Sequence, residues 1–291
     1  MAEGVPLGDR KKEISGGTTE GGENGLSFLR PEVRLLLCCA RKDIEPRQRK
    51  EMEAYLQSPV DWTFLVKTAQ DHGLLLFLYR ALWKNFAERV PKNRKTFLFN
   101  LRRNVLLTAE LCKLLKLFET EGIPTIPLKG PVLTVSLYGD LGMRPFSDLD
   151  LLFQKRDVPK AKALLVAEGY RIPFSLTAAH KEVFLQGDSE AAMVRTDGRT
   201  IVEILWGTPG DFPIALDFAP FWKRLEKQSF EGQAILTFAP EDWVLYLCLH
   251  QATHGWNSLL WLSDLDALIH KYPGMDWNGL VGRAEKFRCR R

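Results

Sequence analysis

The sequence predicts an α+β fold, a small mixed sheet set between an N-terminal and a C-terminal helical unit. Three observations carry this. Apolar residues recur at helical spacing from Pro31 to Glu121. Short β-type runs bounded by turn residues then crowd into about residues 123–239. Helical spacing returns from Pro240 onward. The expected boundaries are a disordered tail over 1–26, a helical unit over 27–122, an α/β core over 123–239 and a helical extension over 240–291.

The tail carries seven of the 22 glycines and no aromatic residue before Phe28. So few apolar groups cannot offset the entropy of ordering it. Ser58-Pro59-Val60-Asp61 reads as a helix start, with Ser as cap and Pro at the first helical position. The helix it opens places Trp62, Leu65, Val66 and Ala69 on one face and stops near His72-Gly73. An apolar helix follows over about Leu74–Phe86, then a long one over Lys95–Glu121 closed by Gly122. In the core, Thr125–Leu128 reads as a strand, Val132–Tyr138 as a short helix and Leu149–Phe153 as a buried strand. Val158–Glu168 is an amphipathic helix closed by Gly169. Further strands are expected at Val183-Phe184-Leu185, Ala192-Met193-Val194, Thr200–Leu205 and Ala234–Phe238. Helices are expected at Glu241–Gln251, Leu259–His270 and Trp277–Phe287. The run Arg288-Cys289-Arg290-Arg291 has no cap, as if the chain ended inside a longer helical domain.

Composition excludes more than it identifies. The chain has 291 residues, 45% hydrophobic and 26% charged, enough to bury a core without disulfides or structural metal. The apolar run Leu74–Tyr79 is cut by Arg80, far short of the roughly 20 residues that span a bilayer. The N-terminal segment has no apolar h-region, so neither a secretory leader nor a membrane partner is expected. Five cysteines with no C-x-x-C pair read as incidental thiols of a reducing cytoplasm. The net charge of +4 is mild. It hides two basic patches: Lys84–Arg103 holds seven bases against Glu88, and Arg283–Arg291 five bases against Glu285. The first reads chiefly as a solvated helix face, with a polynucleotide-guiding role left open.

The tetrapeptide Ser-Asp-Leu-Asp occurs twice, at 147–150 and 263–266. With 16 Asp in the chain, about one Asp-x-Asp is expected by chance, so geometry has to separate the copies. On a strand, residues two apart share a side, roughly 6.6 Å apart. On a helix they diverge by about 200°. Asp148 and Asp150 lead into the strand-type Leu151-Leu152-Phe153, so their carboxylates converge on one side. Asp264 and Asp266 fall in a helical pattern, where they are expected to cap or solvate a helix. Upstream, Lys129-Gly130 joins a strand to a helix, a junction that offers backbone N–H groups and a lysine to an anion. Downstream, Glu203 is a third strand-borne acid. A lysine-glycine anion cradle with three carboxylates suits phosphoryl chemistry, the acids holding Mg²⁺ (or Mn²⁺).

These segments carry a resemblance. Leu128-Lys129-Gly130, Leu137-Tyr138-Gly139-Asp140, Arg144-Pro145-Phe146-Ser147-Asp148-Leu149-Asp150 and Val202-Glu203-Ile204-Leu205-Trp206 are similar to bacterial nucleotidyltransferases of the DNA polymerase β superfamily. So are Pro240-Glu241-Asp242, Leu249-His250, His254-Gly255-Trp256, Trp261-Leu262-Ser263-Asp264 and Asp276-Trp277. The likeness covers about residues 33–287. It implies a minimal nucleotidyltransferase sheet flanked by helices, a transferase moving a nucleoside monophosphate from an NTP to an acceptor. The acceptor stays open among small molecule, RNA and protein. The resemblance assigns Asp148, Asp150 and Glu203 as metal-binding and catalytic acids, and Lys129, Gly130, Arg144 and Ser147 as nucleotide-binding residues. Pro131, which removes one N–H donor, and Leu205, where relatives often carry His, keep a second reading open: a nucleotide-binding or scaffold module without transfer. A toxin-like transferase acting on tRNA or protein is a third.

Two histidines and four tryptophans complete the candidates. His250 and His254 stand one helical turn apart, but Gln251 replaces the Glu a zinc protease requires, so a packed or substrate-facing pair is expected. Trp206, Trp256, Trp261 and Trp277 are expected in the core.

Overall fold

The computed structural model describes residues 28–86, 94–172, 190–207 and 218–287. Five helices come first: α1 (Pro31–Cys39), α2 (Pro46–Gln57), α3 (Trp62–Asp71), α4 (Leu75–Phe86) and the 27-residue α5 (Arg94–Thr120). The cap of α3 is Asp61, whose Oδ1 accepts the Phe64 N–H at 3.0 Å, whereas Ser58 terminates α2. The expected Ser cap is thus corrected. The acid three residues later is the one facing the free first-turn amides.

The sheet has the order β1-β2-β5-β4-β3. Its strands are β1 (Thr125–Leu128), β2 (Leu149–Phe153), β3 (Tyr170–Arg171), β4 (Glu190–Arg195) and β5 (Ile201–Leu205). Only β2 and β5 run parallel. Between the strands lie α6 (Gly130–Tyr138) and α7 (Val158–Ala167). A short helix α8 (Ala219–Trp222) precedes a hairpin, β6 (Glu226–Phe230) with β7 (Gln233–Thr237). The segment expected at Ala234–Phe238 therefore forms a separate two-stranded sheet instead of extending the first. The strand expected at Val183-Phe184-Leu185 lies outside the described residues. The C-terminal helices are α9 (Pro240–Thr253), α10 (Leu259–Lys271) and α11 (Trp277–Lys286).

Alternation along the strands builds two cores and one site. Leu149, Leu151 and Phe153 of β2, with Val202 and Ile204 of β5, pack under Leu111, Leu114 and Phe118 of α5 and Val158 and Leu165 of α7. The opposite face, through Ile126, Leu128, Leu152 and Leu205, joins a second core. That core also contains Leu36 of α1, Leu65 of α3, Phe77 of α4, and Leu247 and Leu268 of α9 and α10. The N- and C-terminal helices therefore meet on one side of the sheet. Asp150 lies between Leu149 and Leu151, so it points to that side, and Glu203 does the same between Val202 and Ile204.

Among the described residues, four cysteines are free, with burial pushing the Cys38 thiol up to about 12. No described helix is long and apolar enough to cross a membrane.

Candidate functional site

Parallel pairing brings the acids together. Asp150 of β2 stands opposite Glu203 of β5, and Asp148, in the bend just before β2, lines the same cleft. Leu128, the last residue of β1, stands opposite Asp150 on the other flank. That pairing delivers Lys129 and Gly130 to the acids. They line one cleft of about 540 Å³ together with Asp148, Asp150, Glu203, Arg144 and Ser147. All seven residues nominated from sequence meet there.

The turn at the end of β1 is unusual. Lys129 has φ 50° and ψ −141°, and Gly130 φ 47°. A positive φ is costly for a residue with a Cβ, and such strain concentrates at functional positions. A Cβ at Gly130 would meet only the Asp148 carbonyl oxygen at 3.7 Å, so its backbone angle rather than space calls for glycine. Pro131 sits in the first turn of α6, where an N–H has no intrahelical partner, so the helix loses no internal bond to it.

Lys129 Nζ lies 3.3 Å from Asp150 Oδ2 and 3.4 Å from His250 Nε2. An ammonium only donates, so His250 Nε2 is the acceptor and the ring proton sits on Nδ1. Burial, with the Lys129 charge next, pushes His250 down to about 2, which keeps the ring neutral. His250 packs 4.6 Å from the His254 ring and 4.9 Å from Trp261. These rings and Tyr246 wall the cleft opposite the acids. The substrate-facing half of the histidine expectation describes this placement. The link to Lys129 was not legible from sequence, because the two residues lie 121 positions apart.

Two expectations are corrected. Asp264 neither caps nor solvates its helix. It is 0% exposed and accepts from Arg144 Nε (2.9 and 3.1 Å) and from the Tyr138 hydroxyl (2.8 Å). Arg144 keeps its place in the lining of the cleft, is 4% exposed and donates its Nε to that carboxylate. The two Ser-Asp-Leu-Asp copies are therefore joined, one presenting acids to the cleft and the other anchoring the arginine in its lining. Asp266 remains on the outer side, with its Oδ1 3.5 Å from His270 Nδ1. The tryptophans also divide: Trp256 and Trp277 are 49% and 46% exposed, not core. Trp261 lines the cleft and Trp206 packs partly buried under Lys162.

The basic segment 84–103 is described in part. It covers the end of α4 and the start of α5, with residues 87–93 outside those described.

A family model described as an uncharacterised nucleotidyltransferase matches residues 58–291. The chain belongs to that nucleotidyltransferase family. Among solved structures it is similar to a lincosamide antibiotic adenylyltransferase with lincomycin bound, at 18% identity over 47% of this chain and 84% of the other, with a TM-score of 0.34. It is also similar to an antigenic nucleotidyltransferase-like protein from Paracoccidioides brasiliensis, at 14% identity over 63% and 88%, with a TM-score of 0.34. No curated protein matches the sequence significantly.

The transferase concentrates negative charge in this cleft. Burial, then Asp150 and Asp148, push Glu203 up to about 8, and burial with Asp150 raises Asp148. Among the described residues no group of three or more His, Cys, Asp or Glu stands as a preformed metal site. The donor set nonetheless fits a hard divalent cation: three carboxylates converge, and Asp150 Oδ1 is buried with no hydrogen-bond partner.

The raised Glu203 value predicts a pH dependence in EDTA. Between about 4.5 and about 8 the native state holds a proton that the unfolded chain has released. Native protein then binds more protons than unfolded, so stability falls as pH rises through that window. The urea midpoint of the nucleotidyltransferase should decline over this range, and Glu203→Gln should flatten the decline. A midpoint that climbs across the window contradicts the assignment.

Proposed function

We propose that the protein transfers a nucleoside monophosphate from an NTP to an acceptor hydroxyl or amine, with Mg²⁺ or Mn²⁺ as cofactor. The observation that carries this reading is the register of β2 with β5, which pairs Asp150 with Glu203 beside Asp148 and faces them with Lys129. Asp148, Asp150 and Glu203 would hold the cation. Bound there, it would polarise the α-phosphate and neutralise the departing pyrophosphate.

The remaining chemistry belongs to the chain. Lys129, fixed by its strained turn and by His250, brings a positive charge to the phosphates. Gly130 and the α6 N-terminus offer amides to phosphate oxygens, and the exposed Ser147 offers a hydroxyl. Arg144, anchored by Asp264 in the lining of the cleft, contributes its charge there. The ionised form of Glu203, beside the cation, takes the acceptor's proton as the acceptor oxygen or nitrogen attacks the α-phosphorus, and a value raised to about 8 makes it a stronger base than an ordinary carboxylate. The bond from the α-phosphorus to the bridging oxygen breaks, and pyrophosphate leaves. The aromatic wall of His250, His254 and Trp261 suits a planar group of the NTP or of the acceptor.

A thermal-shift titration tests the site without needing the acceptor. Mg²⁺ or Mn²⁺ with NTP should raise Tm through preferential binding to the native state. EDTA or Asp148→Asn should erase the rise. A rise of equal size in EDTA contradicts a metal-assisted site. Pyrophosphate release on adding fractionated cell extract then tests transfer itself.

A further inference from the structure

A second cavity, of about 240 Å³, is enclosed by the α1–α2 connection, α2 and α4. It shares no lining residue with the acid cleft. Among the described residues its walls carry five cations, Arg41, Lys42, Arg49, Arg80 and Lys84, against the single acid Asp43. Like charges repel, and although Arg41, Lys42, Arg49 and Lys84 are exposed and screened by solvent, five cations around one small recess make it attractive to an anion.

Arg80 is the least exposed of the five cations. Its Nη1 is shielded from solvent and has no hydrogen-bond partner. The nearest carboxylate oxygen recorded for it, Asp140 Oδ2, stands at 4.0 Å, an ion-pair distance beyond hydrogen-bond reach. A buried donor left without an acceptor is costly, and the rest of the Arg80 side chain, a third exposed, is part of the recess's lining. Guanidinium forks match phosphate oxygens in pairs, and three of the five cations are arginines. The volume is below the range of ordinary drug-sized sites, which sets the ligand at a few heavy groups and not an extended chain.

We propose that this cavity binds a small phosphate-bearing anion about the size of pyrophosphate, held by Arg80, Arg49 and Arg41 with Lys42 and Lys84 around it. The deep side is closed by Phe77 and by Met143, the neighbour of Arg144. Phe77 also packs edge-on to Tyr138, with ring centres 5.2 Å apart, and Tyr138 donates to Asp264. The anion site and the acid cleft thus lie on either side of one buried wall.

Isothermal titration of inorganic pyrophosphate into the full chain, in EDTA, tests the assignment. EDTA withholds the cation that would draw pyrophosphate to the acids. Wild type and Lys129→Gln should bind with the same affinity, and Arg80→Gln should bind at least about tenfold more weakly. Three results overturn the proposal. One is the absence of binding to wild type. Another is binding lost in Lys129→Gln and kept in Arg80→Gln, which assigns the anion to the acid cleft. The third is an RNA oligonucleotide binding through Arg80 where pyrophosphate does not, which makes the surface a nucleic-acid contact. Should Arg80→Gln fail to fold, Lys84→Gln replaces it, since that side chain is exposed. A several-fold loss of affinity in Lys84→Gln supports the site, and unchanged affinity overturns it.

Discussion

Asp150→Asn is expected to lower metal-dependent nucleotidyl transfer by at least about 100-fold while leaving Tm unchanged or higher. A ligand oxygen at a catalytic cation contributes several kcal/mol to the transition state, and each 1.36 kcal/mol is about tenfold in rate. The stability side has the opposite sign. Asp150 is 3% exposed, with its Oδ1 unpartnered and with Asp148 adding like charge. Neutralising it relieves that repulsion at the expense of the Lys129 contact at 3.3 Å. Loss of turnover with a preserved melting transition would mark an acid kept for chemistry. Loss of both would mark a structural residue. Circular dichroism melts beside initial rates, both taken with and without Mg²⁺, separate the outcomes.

Asp264→Ala is expected to do the reverse and act first on the fold. Arg144 and Asp264 form a buried pair that also accepts the Tyr138 hydroxyl. Removing one partner leaves the Arg144 guanidinium buried without its counter-ion, a change that costs about 3–5 kcal/mol. For a chain of this size that corresponds to a Tm drop on the order of 10 °C. The double variant Arg144→Met with Asp264→Leu should recover most of the loss, because an apolar pair needs no desolvated charge. A single variant with wild-type Tm would contradict the buried pair. So would a double variant no better than the single one.

These two aspartates come from identical tetrapeptides, and they show what was legible in the sequence. The strand reading of Leu149–Phe153 agrees with β2 residue for residue, because a short apolar run broken only by Asp150 and bounded by polar turns has few other outcomes. Period-two geometry was expected to put Asp148 and Asp150 on one side, and both line the cleft although Asp148 sits in the bend before β2. For the second copy, helical period placed Asp264 on a helix, as observed in α10. Its environment was not legible: Arg144 and Tyr138 stand 120 and 126 positions away, and local periodicity carries no information on such partners. The long helices were readable to within a residue or two at most ends, since burial of one face and closing glycines such as Gly122 define them.

The hairpin of β6 and β7 was missed in part for a physical reason. Glu226–Phe230 is polar along most of its length and lies largely exposed, so it has no hydrophobic signature. Its turn is Glu231-Gly232, both at positive φ, and Glu is far less common there than the Asn or Asp that usually marks such turns. The basic cavity was invisible for another reason. Its cations come from three separate segments, and only Lys84 belonged to a charge run that drew notice.

The most direct test of nucleotidyl transfer is the position of the label. Wild type, given metal, acceptor-containing extract and NTP labelled at either the α- or the γ-phosphate, should pass only the α-label to an acceptor and release the γ-label in pyrophosphate. Asp150→Asn should do neither. Transfer of the γ-label to the acceptor, or undiminished α-label transfer by Asp150→Asn, would contradict the account.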